Sequence, residues 1–382
     1  MSDKQKKVLF VATVASHIRA FHLPYLKLFQ ENGYKTYVAG NWNIKGQKKL
    51  ENCDEFVQIS IQRSPYSLDN LKAIKELKKV INEERFDVIH CHTPMGAVVA
   101  RLAAKKARKK NGTRVIYTAH GFHFYDGAPL RNWLLFYPVE WYLAKYVDTL
   151  ITINKEDYDR AKKKFGHRCK DIQYVLGVGV DPKKFKKKMD KKEKLAIRKS
   201  LGISDNDKVL IFPAELSGRK NQMWLINTLS PLFKKDGSYH LLLPGGDSLN
   251  GKCHALVKEL GLENQVHLLG FRSDIPELMH ISDLAVSSSK QEGLPVNIME
   301  AIATGKPVVA LDCRGVRDLI KDGNNGYVVN NAREMLDKIL LLKDNKKLVG
   351  EISKNNKVKI KNYSLDSVMK KMKKIYFGKG VL

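Results

Sequence analysis

The chain has few cysteines, no long apolar run and a deficit of acidic residues. The cysteines number five and lie far apart, at Cys53, Cys91, Cys169, Cys253 and Cys313. An odd number without a CxxC pair favours reduced, mostly buried thiols over a zinc site or a disulfide framework. No stretch approaches the roughly 18 uncharged apolar residues that a membrane-spanning helix needs.

A secretion signal is also missing from the first residues. Residues 1–7 are polar and basic, and the apolar run 8–12 is shorter than the apolar region of a signal peptide. We therefore expect the protein to stay in the cytoplasm.

The deficit of acidic residues leaves a large positive charge. There are 68 Lys and Arg against 40 Asp and Glu, which gives a formal net charge of +28. Nucleic acid, an anionic membrane surface or anionic substrates would explain such a field. Lysine predominates, and it suits a diffuse field better than the bidentate recognition at which arginine excels. A lysine-rich, solvated surface is the alternative interpretation.

Short apolar runs alternate with helical patterns along the 382 residues, which is typical of parallel sheets covered by helices. A charge-dominated segment interrupts the alternation once. The sequence therefore predicts an α/β protein with two Rossmann-like, doubly wound domains. We place an N-terminal domain at 1–182, a linker at 183–200, a C-terminal domain at 201–360, and a helix returning to the first domain at 361–382. Because ligands bind beyond the carboxyl ends of parallel strands, two facing edges would form a cleft.

Two candidate ligand-binding turns follow predicted strands of the second domain. Arg219 and Lys220 follow the strand that ends near Pro213, where a helix N-terminus would add free N–H groups for a phosphate. An exposed basic turn is the plain alternative. Gly245, after the next strand, permits a close backbone approach to a ligand, although an ordinary turn explains it equally well.

Two glutamates eight positions apart flank a third turn. Glu292 falls in a loop after a strand, and Glu300 falls inside the helix that Pro295 begins. Between them, Gly293 and Leu294 offer backbone N–H groups at a helix N-terminus. Because carboxylate oxygens accept hydrogen bonds from sugar hydroxyls, this layout suits a ligand with hydroxyls at both ends and phosphates in the middle. A nucleotide sugar is such a ligand.

These motifs resemble a known family over nearly the whole chain. The runs EGLP at 292–295 and Glu300-Ala301, with Lys220 upstream, are similar to the signature of retaining glycosyltransferase family 4. The N-terminal motifs at 16–17, 92–94 and 118–122 resemble bacterial members that build capsular or exopolysaccharide repeat units. The resemblance implies the GT-B fold, in which two Rossmann-like domains face each other across a cleft.

The resemblance also implies roles on the donor side. Glu300 would hold the ribose of the nucleotide, and Glu292 would hold the donor sugar, with Gly293 and Leu294 close to sugar and phosphates. Lys220 would pair with the diphosphate, and Arg272 would lie near the base.

One departure from the family concerns 214–216, where many members have Gly-Arg-Leu and this chain has Ala-Glu-Leu. Arg219 would replace the missing charge. On the other domain, His120 would reach the donor sugar, and Ser16, His17 and His92 would lie on the acceptor side. His120, Arg219, Lys220 and Glu292 are therefore the predicted catalytic residues.

A metal site is one possible role for the histidines at 90, 92, 120 and 123, namely His90, His92, His120 and His123. However, no acidic partner follows them at ligand spacing. The resemblance implies no metal or other cofactor for catalysis. The DxD patterns at 157–159 and 205–207 are explained better by helix capping and solvation.

An aromatic segment at 132–146, reading NWLLFYPVEWYLAKY, has two interpretations. It is a helix packed under the sheet, or a face that touches the membrane interface, where Trp and Tyr are favoured. The basic runs 105–110 and 162–164 would then attract anionic lipid.

The predicted function is the transfer of a sugar, with retention of configuration, from a nucleotide sugar to a lipid-linked glycan. The donor would be a UDP-sugar, and the acceptor a hydroxyl on a polyprenyl diphosphate glycan at the inner face of the cell membrane. A nucleotide-sugar epimerase of the same architecture is one alternative. A basic nucleic-acid-binding protein is the other, although no aromatic-basic RNA motif supports it.

Overall fold

The computed structural model describes residues 5–44, 46–47, 49–186 and 189–378. It divides into two compact units. The first comprises the described residues up to Val178 together with those from Val368, and the second comprises Gly179–Ser367. Residues 187–188 of the predicted linker and residues 379–382 of the predicted C-terminal segment lie outside the described residues.

The first unit alternates strands and helices from its start. Its elements are β1 (Lys7–Val14), α1 (Ala15–Phe21), α2 (Leu23–Glu31), β2 (Lys35–Asn41), β3 (Glu55–Gln58), α3 (Asp69–Glu84), β4 (Val88–His92), α4 (Pro94–Asn111), β5 (Arg114–Ala119), α5 (Leu130–Leu143), a 3₁₀ turn (Ala144–Tyr146), β6 (Thr149–Thr152), α6 (Lys155–Phe165) and β7 (Asp171–Tyr174).

These strands form one parallel sheet in the order β3-β2-β1-β4-β5-β6-β7. The order reverses between β1 and β4. The chain adds β2 and β3 on one side of β1, and then adds β4 to β7 on its other side. In doubly wound sheets such a switch point opens a crevice at the carboxyl ends of the strands. Residues on both faces of β1 are buried, as expected for a sheet with helices on each side.

The second unit repeats the alternation with shorter strands. Its elements are α7 (Pro182–Lys186), α8 (Lys191–Ser200), β8 (Lys208–Ile211), α9 (Gln222–Lys235), β9 (Tyr239–Pro244), α10 (Lys252–Leu260), β10 (Val266–Gly270), α11 (Ile275–Ile281), β11 (Leu284–Ser287), α12 (Val296–Ala303), β12 (Val308–Leu311), α13 (Val316–Leu319), β13 (Tyr327–Val329), α14 (Ala332–Lys343), α15 (Lys346–Lys359) and a 3₁₀ turn (Ile360–Tyr363).

Its strands form a second parallel sheet, ordered β10-β9-β8-β11-β12-β13, with the switch point between β8 and β11. Two doubly wound parallel sheets confirm the predicted fold class. Each unit has its own buried core, built around Leu9 and Tyr117 in the first and around Phe212 and Leu241 in the second.

The sequence analysis missed several elements. The segment between β1 and β2 forms two helices, α1 and α2, which meet at His22, where Pro24 stands in the first turn of α2. Strands β3, β7 and β13 are short, at four, four and three residues, and their apolar runs are too brief to stand out in the sequence. The predicted linker contains α7 and α8, and Asp190 and Glu193 form a capping box at the start of α8.

The last helix, α16 (Leu365–Phe377), ends in the first unit. Its Tyr376 shares a hydrogen bond of 2.8 Å with His90, and Arg114 donates to the carbonyls of Tyr376 and Ile375 at 2.8 and 2.7 Å. These bonds attach the C-terminal helix to β4 and β5. Among the described residues, no helix has the length and apolar character to cross a bilayer.

Candidate functional site

The switch point of the second unit joins two loops. One loop follows β8 and leads into α9, and the other follows β11 and leads into α12. The amide of Lys290 donates to the carbonyl of Arg219 at 2.9 Å, and the Ser288 hydroxyl donates to the carbonyl of Lys220 at 2.9 Å. The backbone that carries the two predicted cations is therefore fixed directly against the loop that carries Glu292.

The Glu292 carboxylate lies between these cations. One oxygen accepts from the Lys220 ammonium at 2.5 Å, and the other accepts from the Arg219 guanidinium at 3.2 Å. The Glu292 side chain is 7 % exposed, whereas that of Arg219 is 47 % exposed. The tertiary structure thus brings Lys220 and Arg219 to Glu292, which lies 72 and 73 positions further along the chain.

A third cation, which the sequence analysis missed, approaches the same turn. Arg314 is buried and donates from Nε to the Glu292 carbonyl at 3.0 Å. Two cations on the carboxylate of Glu292 and a third on its carbonyl place three positive side chains at this turn, which suits a phosphate group. The position of Arg314 just after strand β12, at the same sheet edge, is the signal that would have identified it.

The turn itself requires glycine. Gly315 has φ +79°, and a Cβ there would lie 2.3 Å from the Gly293 carbonyl oxygen. This close approach packs the loop after β12 against Gly293 and Leu294, immediately before α12. Asn297 in the first turn of α12 donates to the carbonyl of Pro213 at 3.1 Å, which fixes the helix start against the end of β8.

Glu300 lies one helical turn further along α12, away from the Lys220–Glu292 pair. Burial raises the pKa of its carboxyl to about 7, and the charge of Lys184 on α7 opposes that increase. Near neutral pH the group therefore exchanges between a protonated and an ionised form. A carboxyl with a perturbed pKa in such a position is a candidate for ligand binding.

Gly245 has a packing reason for being glycine. A Cβ at this position would lie 1.9 Å from the carbonyl oxygen of Ala214, so the side of the residue on which a Cβ would lie is occupied by the chain after β8. Its amide also donates to the carbonyl of Gly270 at 2.7 Å. Its predicted contact with a ligand stays a prediction.

Arg272 and Glu215 are both hydrogen-bonded to side chains of the second unit. Arg272 donates to both oxygens of Asp274 at 2.7 and 2.5 Å, and this hydrogen bonding lowers the pKa of Asp274. Glu215, which stands where family 4 often has arginine, accepts from the Ser248 hydroxyl at 2.5 Å. Positive charge at this edge is supplied by Arg219, and its predicted role at the diphosphate stays a prediction.

The switch point of the first unit has a strained residue. Thr93 has φ +62° and ψ +151°, a region that residues other than glycine seldom occupy. Its hydroxyl accepts from the Thr13 amide at 2.9 Å, and the two threonine hydroxyls lie 2.8 Å apart. These bonds hold β4 and its following turn against the end of β1. Such strain is often found at binding sites.

The predicted acceptor-side residues gather at this edge. The rings of His17 and His120 meet edge to face at 4.8 Å, and His92 shares an N···N contact of 3.3 Å with His120. Ser16 begins the same region, where its amide and hydroxyl both bond to the Asn43 side chain at 2.9 and 2.8 Å. The first unit therefore groups all four residues predicted there.

Histidines at this edge are held in the neutral form. Burial lowers the pKa of His17 to about 4, and burial together with neighbouring imidazoles lowers the pKa of His92 and His120 well below the usual value. His22, which the sequence analysis did not single out, stacks on His92 with ring centroids 3.8 Å apart. Its place five residues after His17, at a helix break, was the available signal.

An apolar cavity of about 630 Å³ opens beside these histidines. Its lining includes His17, Thr93, Met95 and Phe122, together with α5 residues such as Phe136. A cavity of this size accepts a ligand of several carbon units rather than a single ion or water.

Helix α5 carries apolar residues on both sides. On its inner side, Trp133 and Phe136 pack against the core, and Glu140 forms a buried ion pair with Arg101 at 2.8 Å. Its outer side exposes a set of large apolar residues, namely Leu130, Leu134, Leu135, Val139 and Tyr142. The two interpretations of 132–146 are therefore compatible, because one helix has a packed side and an exposed apolar side.

Family models match both halves of the chain. A model described as Glycosyl transferase 4-like matches residues 7–154, and a model described as Glycosyl transferases group 1 matches residues 193–359. EpsD of Bacillus subtilis (strain 168), a protein named as a glycosyltransferase, is 45 % identical over 85 % of this chain and 83 % of its own length.

More distant proteins match over similar lengths. The Escherichia coli UDP-Gal:alpha-D-GlcNAc-diphosphoundecaprenol alpha-1,3-galactosyltransferase is 27 % identical over 81 % of this chain and 80 % of its own length. The crystal structure of Anabaena Alr3699/HepE in complex with UDP-glucose has a TM-score of 0.77 and 22 % identity, and the match covers 97 % of this chain and 98 % of that one. These matches confirm the GT-B fold that the sequence predicts.

Proposed function

The chain belongs to the glycosyl transferases of group 1, and from this premise we propose that it moves a sugar from a UDP-sugar to a hydroxyl of a lipid-linked glycan. The observation that carries the proposal is the arrangement of Arg219, Lys220 and Glu292 at one switch point, with Glu300 further along α12. It matches a ligand with a diphosphate at its centre and hydroxyls at both ends.

The donor half of the proposal concerns the second unit. Lys220 and Arg219 would bind the diphosphate, while the amides before α12 would add donors to its oxygens. Glu292 already accepts from both cations, and its remaining lone pairs would accept from hydroxyls of the donor sugar. Glu300 would accept from the ribose. The Anabaena protein that shares the fold binds UDP-glucose, which supports a uridine nucleotide as the donor.

Departure of the diphosphate is the main chemical difficulty in the transfer. Negative charge grows on the leaving oxygen as the bond to the sugar carbon breaks. Lys220 and Arg219, held in place by Glu292, would stabilise that charge without having to reorganise. Such a preorganised donor typically contributes about 10²–10³ to the rate. The leaving phosphate would accept the proton of the acceptor hydroxyl, and the transfer would retain the anomeric configuration, as in family 4.

The acceptor half of the proposal concerns the first unit. Ser16, His17 and His92 would contact the acceptor glycan, and His120 would reach the donor sugar. The apolar cavity beside His17 would hold the first units of a lipid chain, and Arg63, which also lines it, would attract the lipid diphosphate. The E. coli relative is named for a diphosphoundecaprenol-linked acceptor, which supports a lipid-linked acceptor here.

The outer side of α5 would bring this cavity to the membrane surface. Its exposed apolar residues would enter the interface, and Lys105 and Lys145, near the aromatic rings of Tyr142 and Tyr146, would meet anionic headgroups. Each such charge near the surface contributes about 1 kcal/mol. We therefore place the protein at the inner face of the membrane, as a peripheral protein.

A panel of nucleotide sugars, screened by thermal unfolding, tests the donor directly. A ligand at 100 times its Kd stabilises the folded state by about 2.7 kcal/mol. We expect a UDP-sugar to raise the melting temperature, and Glu300→Gln to reduce that increase. Stabilisation by GDP-sugars alone would contradict the choice of nucleotide.

The reaction itself separates the proposal from an epimerase. Incubation with the donor alone should leave the sugar unchanged, because an acceptor is required. Addition of a polyprenyl diphosphate glycan should yield a product whose anomeric configuration, read by NMR, equals that of the donor. An inverted product would refute retention, and conversion of the donor alone would favour the epimerase.

A further inference from the structure

Four imidazole rings of the first unit meet at one point. His17, His22, His92 and His120 each place a ring nitrogen within 4.8 Å of the others. They come from α1, from the break between α1 and α2, and from the carboxyl ends of β4 and β5. We propose that these four side chains bind one transition-metal ion of the zinc type.

The distances already approach those of a tetrahedral site. His17 Nε2 and His22 Nε2 are 3.2 Å apart, and His92 Nδ1 and His120 Nε2 are 3.3 Å apart. Zinc bonds imidazole nitrogen at 2.0–2.1 Å, so ligand atoms of a regular tetrahedron lie about 3.3 Å apart. Two of the edges therefore match in length, and both are hydrogen bonds between rings that a bound ion would replace. The longest separation must shorten by about 1.5 Å, and the partly exposed ring of His17 has room to rotate.

Two of the four rings each keep one nitrogen unpaired. His22 Nδ1 and His92 Nε2 are buried and have no hydrogen-bond partner among the described residues. Both side chains are almost fully buried, at 1 % and 0 % exposure. These are not the nitrogens that form the two short contacts, so the assignment of a metal site rests on the convergence of the four rings.

Imidazole also suits this class of ion chemically. Neutral imidazole binds Zn²⁺, Ni²⁺, Co²⁺ and Cu²⁺. Four neutral ligands do not cancel the charge of the ion. We therefore expect an affinity below that of thiolate sites.

The four proposed ligands differ from the four histidines that the sequence suggested, because His90 and His123 are not among them. Both ring nitrogens of His90 are already bonded, to Tyr376 and Thr118 at 2.8 Å each. The His123 ring stacks on Phe136 at 4.5 Å instead. His17 and His22 take their places, because the helix break turns the His22 ring toward the end of β4.

Occupancy of the site would affect sugar transfer, and this part rests on the proposed function. His17 and His92 are the proposed contacts of the acceptor, and His120 is the proposed contact of the donor sugar. An ion that engages all three would withdraw them from the substrates. We expect zinc to inhibit transfer at concentrations that fill the site, and a chelator to restore it.

Metal titration tests the site without any assay of transfer. The full chain, treated with EDTA and dialysed, is titrated with Zn²⁺ by calorimetry and with Co²⁺ by absorption spectroscopy. We expect one ion per chain and the intense visible absorption of tetrahedral Co²⁺. No binding, or the weak absorption of octahedral Co²⁺, would overturn the proposal.

Two variants and a matched control locate the ion. His22→Ala removes a ligand that has no proposed role in transfer, and we expect affinity to fall at least tenfold. If circular dichroism shows that this variant is unfolded, His17→Ala, at a partly exposed position, serves instead with the same expectation. His254→Ala, on an exposed histidine of the second unit, should leave affinity unchanged. Equal affinity in all variants would overturn the site.

The two proposals fail in different ways. Tetrahedral binding in a protein that transfers no sugar from any UDP-sugar would leave the metal site intact and refute the proposed function. Normal transfer by a protein that binds no metal would refute the metal site. Zinc bound at the site without inhibition would remove the link between the two.

Discussion

The two units have the same sheet plan and opposite chemistry at their switch points. In the second unit, the carboxyl edge carries Arg219 and Lys220 on the Glu292 carboxylate and Arg314 on the Glu292 carbonyl. In the first unit, the corresponding edge carries neutral imidazoles beside an apolar cavity. One edge is suited to an anion with hydroxyls, and the other to an uncharged or lipid-bearing ligand.

The difference shows that topology supplies the place and the side chains supply the chemistry. Both crevices arise at the switch point of a parallel sheet, because the connections from the two adjacent strands run to opposite sides of the sheet and leave a gap between them. In the second unit, Arg219 and Lys220 reach the edge already paired with the Glu292 carboxylate. In the first unit, the histidines are packed against one another, so burial keeps them neutral.

The largest effect should come from the buried ion pair that fixes α5 in the first unit. Arg101 is 1 % exposed and donates to both Glu140 oxygens at 2.8 and 3.1 Å. Arg101→Ala would leave a buried carboxylate unpaired, and we expect a loss of about 3–5 kcal/mol in the free energy of unfolding. Urea denaturation, followed by circular dichroism, measures it.

Two further variants test the cause of that loss. Arg333→Ala, at an exposed ion pair of the second unit, should cost less than about 1 kcal/mol. The double change Arg101→Met and Glu140→Leu should recover much of the stability, because it removes both buried charges. If the double variant has the same free energy of unfolding as Arg101→Ala, the loss is caused by altered packing of α5 and not by the unpaired charge.

The next effect concerns the charged edge of the second unit. Lys220→Ala should lower turnover by about 10²–10³, because it removes a preorganised cation from the leaving diphosphate. Single-turnover transfer from the UDP-sugar measures the chemical step. Lys234→Ala, at the other end of α9, is the matched control and should leave turnover unchanged. Unchanged turnover in the Lys220 variant would remove it from the leaving-group role.

A smaller effect should appear at the outer side of α5. Leu134 is 68 % exposed, and Leu134→Glu should weaken binding to vesicles that contain anionic lipid by at least about tenfold. Sedimentation with vesicles measures the affinity. Leu340→Glu, on an exposed leucine of the second unit, controls for the added charge. A similar loss in both variants would show that net charge, not α5, governs the binding.

The smallest effect is a pH dependence of donor binding. The raised pKa of Glu300, about 7, means that the carboxylate form grows as pH rises from 6 to 8. Because the carboxylate accepts two ribose hydroxyls, affinity for the UDP-sugar should increase with pH, by up to about tenfold. Calorimetry at several pH values measures it.

Glu300→Gln supplies the control for this dependence, since it should bind more weakly and with no change between pH 6 and 8. The donor has no terminal phosphate that titrates in this range, and the pKa of His17, near 4, excludes that ring as the source. A pH dependence that persists in the Gln variant would assign it to another group.

Much of the carboxyl edge of the second unit could be predicted from the sequence. Arg219, Lys220, Glu292 and Glu300 all stand just after apolar runs or inside the helix that follows, and parallel strands place such positions at one edge. Arg314 escaped notice because it is a lone arginine in a basic chain. The pairing of Glu292 with both cations also could not be predicted, since it depends on two loops 72 positions apart.

The carboxyl edge of the first unit was harder to predict from the sequence. His92 and His120 were identified, but His22 was not, because a histidine between two helices has no motif of its own. The apolar cavity requires α5 to lie beside the end of β4, and its volume depends on side-chain packing. The exposed side of α5 likewise depends on which residues the core buries.

The sequence by itself determined the alternation of strands and helices, the excess of lysine and the order of the ligand-edge motifs, because these are local properties of the chain. Only the tertiary structure decided which histidines meet, that Glu300 ionises near neutral pH, and that Arg219 and Lys220 share the Glu292 carboxylate. The physical reason is that sheet order differs from chain order. Strands β1 and β4 are neighbours across about 80 residues, and burial at their junction sets the charge of every group there.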